Sequence, residues 1–411
     1  HWIPPTEERH FSEATLPTIM GHRDCQPTEC PGSRLYALLP TIRAETMAKM
    51  VATSPTIELT SPDDGATVRA VSHIAVTASA ALTRSSLYVD DVLRQTLHLD
   101  AEPTISFLHH WNTRLETDGP HTLKVVASNA MGQSTAERQV RVDNIAPEGS
   151  VSVPTWSRSY WVPFEISSSD AVAVQFSNAW IWEAEDLPRT ATMGEVVSDS
   201  LALNGRAWHG RAGLDTPGGL FGPYACDLPA YESYTVCFRL RTSDITNPEG
   251  IVTVDVVDNQ GKRNYGLCEL SGQEWSSEGY EEFLVDLAYE DRWPTCESLD
   301  VDDGLEFRIW FSGKQDLYVD RVTVFSRPYP TSDTRIHWHV RETEGAQQVT
   351  VRFLDAAGNA KDCVVMVRVD TNAPKWFAYG FRQLQVKDVT SGLNAASAAW
   401  SVSHDGGSTW S

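Results

Sequence analysis

The sequence predicts a mainly β chain made of stacked β-sandwiches, and three observations support this. After residue 52, short alternating or β-branched segments such as Ile251–Val257 lie between Gly, Pro, Asn and Asp residues. The pattern V-R-V-D-N-I-A-P at Val140–Pro147 returns as V-R-V-D-T-N-A-P at Val367–Pro374, which predicts the last strand and linker of two related modules. Before residue 52 the spacing of apolar residues in Arg34–Met50 instead predicts a helix.

The 411 residues allow about two to four domains, and the composition changes suggest where they divide. We expect an N-terminal segment at 1–52, a first sandwich at 53–147, a split sandwich at 148–179 plus 329–373, an inserted jelly roll at 180–328, and the start of a further β-module at 374–411. The insertion is favoured because a domain with adjacent termini can enter at a loop. The alternative is three separate modules in a row. We expect the sequence to be a fragment, because it begins with His1 and stops abruptly at Ser411.

The net charge of −22 excludes several classes of partner. A nucleic-acid binder needs a basic surface to displace counterions, and an anionic membrane surface would repel this chain. The sequence has no apolar run of about 20 residues, the length that spans a bilayer. The 14 Trp residues can fill β-sheet cores or form flat platforms for sugars, and the core is the expected place for most of them.

Seven cysteines indicate an oxidising compartment if they pair. Four of them fall in one segment, at Cys226, Cys237, Cys268 and Cys296, which makes one or two bridges among them plausible. The connectivity does not follow from the sequence.

A candidate metal site lies in Gly21–Gly32, which reads G-H-R-D-C-Q-P-T-E-C-P-G. His22 and Cys30 are eight residues apart in a Gly- and Pro-rich loop before the predicted helix. Imidazole nitrogen and thiolate sulfur are zinc ligands, and a catalytic zinc keeps three protein ligands and a water.

The wider stretch Pro17–Arg43 is similar to the closing motif of the peptidoglycan recognition protein and N-acetylmuramoyl-L-alanine amidase family, through H-R-D, T-x-C-P-G and L-Y-x-x-L-P-x-I-R. The resemblance implies that His22 and Cys30 are zinc ligands and that Thr28 assists the metal-bound water. It implies hydrolysis of the amide between N-acetylmuramic acid and L-alanine. The family's first zinc histidine lies upstream of His1, so we expect an enzyme as the parent protein and no activity from this chain alone.

The first sandwich resembles bacterial immunoglobulin-like domains. The resemblance is carried by Ser61–Gly65 (S-P-D-D-G), Leu87–Asp91 (L-Y-V-D-D) and Gly119–Ala127 (G-P-H-T-L-K-V-V-A).

The inserted stretch resembles carbohydrate-binding modules of the calcium-bearing jelly-roll type, through W-E-A-E-D at Trp182–Asp186 and L-Y-V-D-R-V at Leu317–Val322. The resemblance implies that Glu183, Glu185 and Asp320 are structural calcium ligands, because calcium takes six to eight oxygens. The alternative is that they are surface acids on edge strands.

A sugar site needs exposed aromatic side chains near polar groups. The candidates beside loop-like stretches are Trp208, Tyr265, Trp275 and Trp293, and the alternative for each is a place in the core or at its rim.

These observations predict a fragment of a secreted or cell-surface peptidoglycan hydrolase that uses zinc, with β-modules that bind the wall or another polysaccharide. The alternative is a non-catalytic adhesin or glycan-binding protein. A glycoside hydrolase would need a pair of catalytic carboxylates, and the sequence shows no motif that identifies one.

Overall fold

The computed structural model describes residues 28, 30–51, 53–99, 104–226, 228–229, 232–258, 261, 263–289, 304–379, 383–388 and 390. These residues are mainly β, which confirms the predicted fold class. The chain forms two compact units, His1–Val142 and Asp143–Ser411. No helix in the described part of the chain is long and apolar enough to cross a membrane.

The first unit begins with the predicted helix, α1 (Ser33–Val51). The Tyr36 N–H donates to the Gly32 carbonyl at 3.0 Å and closes the first turn. Gly32 has φ +87°, a conformation that glycine adopts without strain. Leu39 is buried, whereas Leu35 and Leu38 are exposed, so the helix buries a narrow stripe of its surface.

The rest of the first unit is a two-sheet sandwich. Its strands are β1 (Ile57–Ser61), β2 (Thr67–Val68), β3 (Val71–Leu82), β4 (Arg84–Val89), β5 (Val92–His98), β6 (Thr104–Asn112), β7 (Gly119–Asn129) and β8 (Gly132–Val142). One sheet has the order β1-β3-β6 and the other β2-β8-β7-β4-β5. In β7 every second residue is buried, including Leu123 and Val125, which is the period-2 pattern of a strand with one face on a core. Asp90 and Asp91 have positive φ and form the tight turn between β4 and β5.

The second unit contains the remaining strands. They are β9 (Gly149–Ser152), β10 (Trp161–Ser168), β11 (Ala173–Ser177), β12 (Ile181–Glu183), β13 (Glu195–Ser198), β14 (Arg206–Gly210), β15 (Gly218–Leu220), β16 (Pro223–Ala225), β17 (Glu232–Thr242), β18 (Gly250–Asp258), β19 (Arg263–Ser271), β20 (Glu281–Tyr289), β21 (Leu305–Phe311), β22 (Leu317–Ser326), β23 (Tyr329–Pro330), β24 (Arg335–His339), β25 (Gly345–Leu354), β26 (Ala360–Val369), β27 (Lys375–Tyr379) and β28 (Gln383–Lys387).

Strands from both sides of the 180–328 stretch form one sandwich, which we call the host sandwich. Host sheet 1 has the order β24-β10-β9, and host sheet 2 has the order β23-β11-β25-β26. The pairing is antiparallel and joins distant parts of the chain, with Trp161 opposite His339 in β10 and β24 and Phe176 opposite Val351 in β11 and β25. Phe164, Phe176 and Phe353 are buried between the two sheets.

The strands β12 to β22 form a second sandwich, the insert. Insert sheet 1 has the order β13-β14-β22-β17-β20, with β12 also paired to β22. Insert sheet 2 has the order β15-β21-β18-β19, with β16 also paired to β21. The first strand of the insert therefore pairs with its last, which brings the ends of the insert together as a domain insertion requires.

Arg352 joins the host sandwich to the insert. Its neighbours Val351 and Phe353 point into the host core, so Arg352 projects from the outer face of host sheet 2. There it is buried and donates to Asp362 at 2.7 and 2.9 Å and to the Cys237 sulfur of insert sheet 1 at 3.2 Å.

Three further contacts complete this joint. The Arg352 guanidinium pairs with Glu282 at 2.7 Å and lies 4.0 Å from the centre of the Phe325 ring, and both partners belong to insert sheet 1. Gln175 of host sheet 2 donates to the Thr235 hydroxyl at 3.1 Å. Host sheet 2 therefore contacts insert sheet 1 through the face that points away from the host core.

The cysteines behave in two ways. Cys226 forms a disulfide, as the sequence predicts for this segment, whereas Cys237 and Cys268 are free thiols. Burial raises the pKa of Cys237 to about 12, so this residue stays a neutral thiol beside Arg352.

The first sandwich contains a histidine that should make its stability depend on pH. His109 is fully buried between the Ser85 hydroxyl and the Gln95 amide oxygen, each at 2.8 Å. Burial, helped by His110, lowers the pKa of His109 from 6.5 to about 4. Between these values the unfolded chain binds a proton that the folded chain does not, so stability falls as the pH decreases from 6.5 to 4.

We predict that the free energy of unfolding of His109→Gln, which has no titrating group at this position, falls by about 3 kcal/mol less between pH 6.5 and pH 4 than that of the wild type. The measurement is thermal unfolding of the full chain at several values between pH 7 and pH 4. His98→Gln, at an exposed position of the same sandwich, is the matched control and should follow the wild type. An unchanged pH profile in His109→Gln would contradict the assignment.

Candidate functional site

Of the two predicted zinc ligands, one lies among the residues that the structure describes and the other does not. His22 lies outside the described residues. Cys30 is an exposed free thiol just before α1, and its backbone N–H donates to the Thr28 hydroxyl at 3.2 Å. The described residues thus contain one of the two predicted zinc ligands, and one thiol does not define a zinc centre.

The three predicted calcium ligands come from neighbouring parts of insert sheet 1. Glu183 ends β12, Glu185 lies in the 3-10 turn Ala184–Asp186 that follows, and Asp320 lies in β22. In the ladder Glu183 is opposite Arg321, the residue next to Asp320. A bulge in the pairing of β17 with β22 leaves Asp320 without a cross-strand partner, and this side chain is 0% exposed.

Each of the three carboxylates has one buried oxygen without a hydrogen-bond partner. These atoms are Glu183 Oε2, Glu185 Oε2 and Asp320 Oδ1. Buried carboxylate oxygens are nearly always paired, so three acceptors without a partner on neighbouring parts of one sheet make these acids candidate cation ligands. The donor set fits calcium, a hard cation that prefers carboxylate oxygens.

The other oxygens of this acidic cluster are held by basic and amide groups. Arg321 pairs with Glu183 at 3.1 Å, and Arg239 pairs with Asp320 at 2.7 Å. The Asn204 amide donates to Glu185 at 2.9 Å. Arg206 also lies 3.9 Å from Glu185, so the three acids face three guanidinium groups, and one oxygen of each acid has no hydrogen-bond partner.

The charged forms of two of these acids are disfavoured. Burial is the main cause of the raised pKa of Glu183, and the nearby Asp320 and Glu185 add to it. Burial likewise raises the pKa of Asp320 against the effect of Arg239. The three acids are not among the described groups whose ligand atoms all lie within 4.8 Å of one another.

Two predicted sugar platforms are wrong. Trp208 and Trp275 are 0% and 1% exposed and lie in the core between the insert sheets. Each indole N–H donates to a backbone carbonyl, Trp208 to Met193 at 3.4 Å and Trp275 to Leu240 at 3.1 Å. A buried indole with a satisfied N–H fills a core and offers no ring face to a ligand.

The other two candidates remain predictions. Tyr265 is half-buried, donates its hydroxyl to Asp258 at 2.8 Å and has the Arg263 guanidinium 4.9 Å from its ring. Trp293 lies outside the described residues.

A tryptophan that the sequence reasoning missed stands on the outer face of insert sheet 2. Trp310 is 40% exposed and is the last residue but one of β21. Its cross-strand neighbour is Gly219, and a Cβ atom there would lie 2.9 Å from the indole. The ring therefore packs against the glycine backbone, and part of the side chain is open to solvent.

Polar side chains surround this indole in two rows across the sheet. Thr253 is opposite Trp310, and Glu269 is opposite Thr253. In the next row, Arg308 donates to Asp255 at 2.8 and 2.6 Å, with its guanidinium 5.3 Å from the Trp310 ring. We call these five residues, Trp310, Thr253, Glu269, Arg308 and Asp255, the insert face.

The signal for Trp310 was present in the sequence. In L-E-F-R-I-W-F, the residues Leu305, Phe307, Ile309 and Phe311 alternate with Glu306, Arg308 and Trp310. The first set is buried, so the second points outwards. A Trp in register with Glu and Arg is on the polar face of its strand, and that position indicates an exposed aromatic side chain.

The comparisons with known proteins agree with the fold of the first sandwich. Residues 55–125 match the family model of the bacterial Ig domain. This match lies within the stretch that the sequence predicts to be immunoglobulin-like and does not reach residues 1–52. The curated proteins contain no match to the chain.

Solved structures with β-sandwich modules show weak similarity. An endo-β-1,4-mannanase from Thermotoga petrophila is 19% identical over 27% of this chain and 23% of its own length, with a TM-score of 0.20. The fibronectin(III)-like modules of Clostridium thermocellum CbhA are 19% identical over 21% of this chain and 94% of theirs, with a TM-score of 0.16. A structure of carbohydrate-binding modules from the β-sandwich superfamily is 12% identical over 66% of this chain and 98% of its own, with a TM-score of 0.21. The chain thus spans about a quarter of the mannanase, and TM-scores this low carry no argument about function.

Proposed function

We propose that the chain is the glycan-binding part of a secreted or cell-surface modular protein, and that the insert face binds the polysaccharide. The observation that carries this proposal is Trp310, an exposed indole that packs against the backbone of Gly219. A pyranose ring has an apolar face of C–H groups that can stack on an indole, and hydroxyls around its edge that need donors and acceptors.

The side chains beside Trp310 provide the hydrogen-bond donors and acceptors that the sugar hydroxyls need. Arg308 donates through a guanidinium that is held in place by Asp255, so little side-chain entropy is lost on binding. The acceptors are the hydroxyl of Thr253 and the exposed carboxylate of Glu269, whereas the buried Asp255 serves to hold Arg308. A few placed polar groups around an aromatic surface are typical of specific ligand sites.

The disulfide at Cys226 supports the proposed location, because disulfides persist in oxidising compartments. Peptidoglycan is the ligand that the amidase-like motif favours, and other polysaccharides of the cell surface are the alternative. The net charge of −22 favours neutral glycans over strongly acidic ones.

We predict that Trp310→Ala weakens polysaccharide binding at least tenfold, equivalent to about 1.4 kcal/mol, because it removes the stacking surface. The measurement is co-sedimentation of the full chain with peptidoglycan sacculi and with cellulose, chitin, xylan and mannan particles. Trp156→Ala, at a Trp that is exposed between β9 and β10, is the matched control and should bind as the wild type does. Equal binding by Trp310→Ala and the wild type would exclude the insert face.

We further propose that Glu183, Glu185 and Asp320 hold a structural calcium ion. The three unpartnered oxygens support this, and the ion would neutralise acids that the fold has buried at a cost. The site is structural in this proposal because Asp320 is fully buried and offers no surface to a glycan.

We expect calcium to raise the unfolding temperature of the chain. At a calcium concentration one hundred times the dissociation constant, the free energy of unfolding should increase by about 2.7 kcal/mol. The measurement is scanning calorimetry with calcium and with a chelator. Asp320→Asn should lose the calcium response, whereas the control Glu249→Gln, at an exposed acid, should keep it. A response that survives in Asp320→Asn would place the ion elsewhere.

A second candidate function is zinc-dependent hydrolysis of the N-acetylmuramoyl-L-alanine amide bond by the parent protein. The support is the resemblance of Pro17–Arg43 to the amidase family, together with the exposed free thiol of Cys30, whose backbone N–H donates to the Thr28 hydroxyl at 3.2 Å. His22 would be its partner on the metal.

If Cys30 is a zinc ligand, Cys30→Ala should retain less than half of the zinc that the wild-type chain retains after dialysis. The metal is measured by atomic spectroscopy, together with release of L-alanine peptides from muramyl peptides. Cys268→Ala, which removes another free thiol, is the control and should retain zinc as the wild type does. Equal zinc in Cys30→Ala and the wild type would contradict the assignment.

A further inference from the structure

A second exposed tryptophan stands on the outer face of host sheet 1. Trp161 is 58% exposed at the start of β10. The next residues of its strand alternate, with Val162 and Phe164 buried in the host core. Trp161 therefore points away from the core, although large aromatic side chains on a strand usually add to core packing.

Neighbouring rings fix the position of this indole. His339 lies directly opposite Trp161 in the ladder, with the ring centres 4.9 Å apart and the planes at 57°. The Tyr160 ring centre lies 6.5 Å from that of His339, and Tyr160 also packs against the edge of the host core. We call Tyr160, Trp161 and His339 the host platform.

Two carboxylates hold the edge of the host platform. Glu342 lies 3.4 Å from the His339 Nε2 atom, and Glu344 accepts a hydrogen bond from the Tyr160 hydroxyl at 3.1 Å. Glu342 is well exposed, so its oxygens can also accept from a ligand. The platform thus combines a fixed aromatic surface with acceptors at its rim, as the insert face does.

The surroundings of the host platform favour a sugar over a protein partner. Along the same face, the next cross-strand pairs are Pro163 with the exposed His337 and the ion pair of Glu165 with Arg335 at 3.3 Å. The aromatic area is therefore small and lies beside polar pairs, whereas a protein interface needs a broad apolar centre. Acceptors around one indole suit the hydroxyls of a neutral glycan.

The two aromatic surfaces lie on different sheets of two different sandwiches. Arg352 of host sheet 2 contacts insert sheet 1, so insert sheet 2 lies beyond the insert core from this contact. Host sheet 1 carries the host platform on its outer face, and its inner face contacts the insert through Trp338, which packs against the insert core. The host platform and the insert face are therefore separate surfaces.

We propose that the host platform is a second glycan site, and that the second unit bridges two glycan chains, one on each surface. The inference rests on the proposed glycan binding by the insert face. Trp161 and Trp310 lie on separate sheets of separate sandwiches, so each surface can hold its own glycan chain.

Agglutination tests bridging separately from binding. The probes are suspended peptidoglycan sacculi and cellulose, chitin, xylan and mannan particles, with light scattering for agglutination and co-sedimentation for binding. We expect the wild-type chain to agglutinate the particles that it binds. Trp161→Ala should still bind through the insert face but need at least tenfold more protein to agglutinate. Trp310→Ala should also lose agglutination, and the double variant should lose binding.

Controls separate bridging from self-association. Trp156→Ala should agglutinate as the wild type does, and light scattering of the free proteins should show the same molar mass for every variant. Agglutination by Trp161→Ala at the wild-type concentration would overturn the bridging proposal and leave the proposed function intact. Normal binding by Trp310→Ala with loss of binding in Trp161→Ala would overturn both bridging and the assignment to the insert face.

Discussion

The buried guanidinium of Arg352 is the interaction on which the architecture of the second unit depends. It is held by Asp362 of its own sheet and by Glu282 and Cys237 of the insert, with Phe325 against its flat face. Removing one partner of a buried charge typically costs about 3–5 kcal/mol, because the charge that remains is left unpaired. The planar fork also fixes direction, so this joint orients two sandwiches that a flexible link alone would leave free to turn.

Much of the fold followed from local patterns in the sequence, because alternation and turn chemistry act over a few residues. The helix at Ser33–Val51 and the mainly β class of the rest are confirmed. Whether a residue is buried between two sandwiches was harder to predict from the sequence. The Arg352 joint brings β25 into contact with Cys237, 115 residues earlier, and with Glu282, 70 residues earlier. In the local sequence, an Arg between Val351 and Phe353 has the pattern of an ordinary exposed residue. Only the packing of two sandwiches makes it a buried one.

The candidate sites show the same difference between what local sequence patterns predict and what depends on packing. Glu183 and Asp320 could be singled out because the carboxylates occur in the opening and closing strands of one predicted domain, and the structure gives each an unpartnered oxygen. The sugar platforms were chosen by closeness to loops, and that criterion failed for Trp208 and Trp275, because a Trp at the edge of a loop can still turn into the core. Strand register would have been the better guide, since it places Trp310 on the same face as Arg308.

The place of the acidic cluster gives the proposed calcium a specific structural role. β12 is the first strand after the chain leaves the host sandwich, and β22 is the last strand before it returns, so their pairing closes the insert. Glu183 and Asp320 lie on these two strands. A cation shared between them would tie together ends that are separated by more than a hundred residues, where the entropy of loop closure is large. The same closure holds insert sheet 1 in place against Arg352. Calcium would therefore act on glycan binding at a distance, by keeping the insert folded and its outer face turned away from the host sandwich.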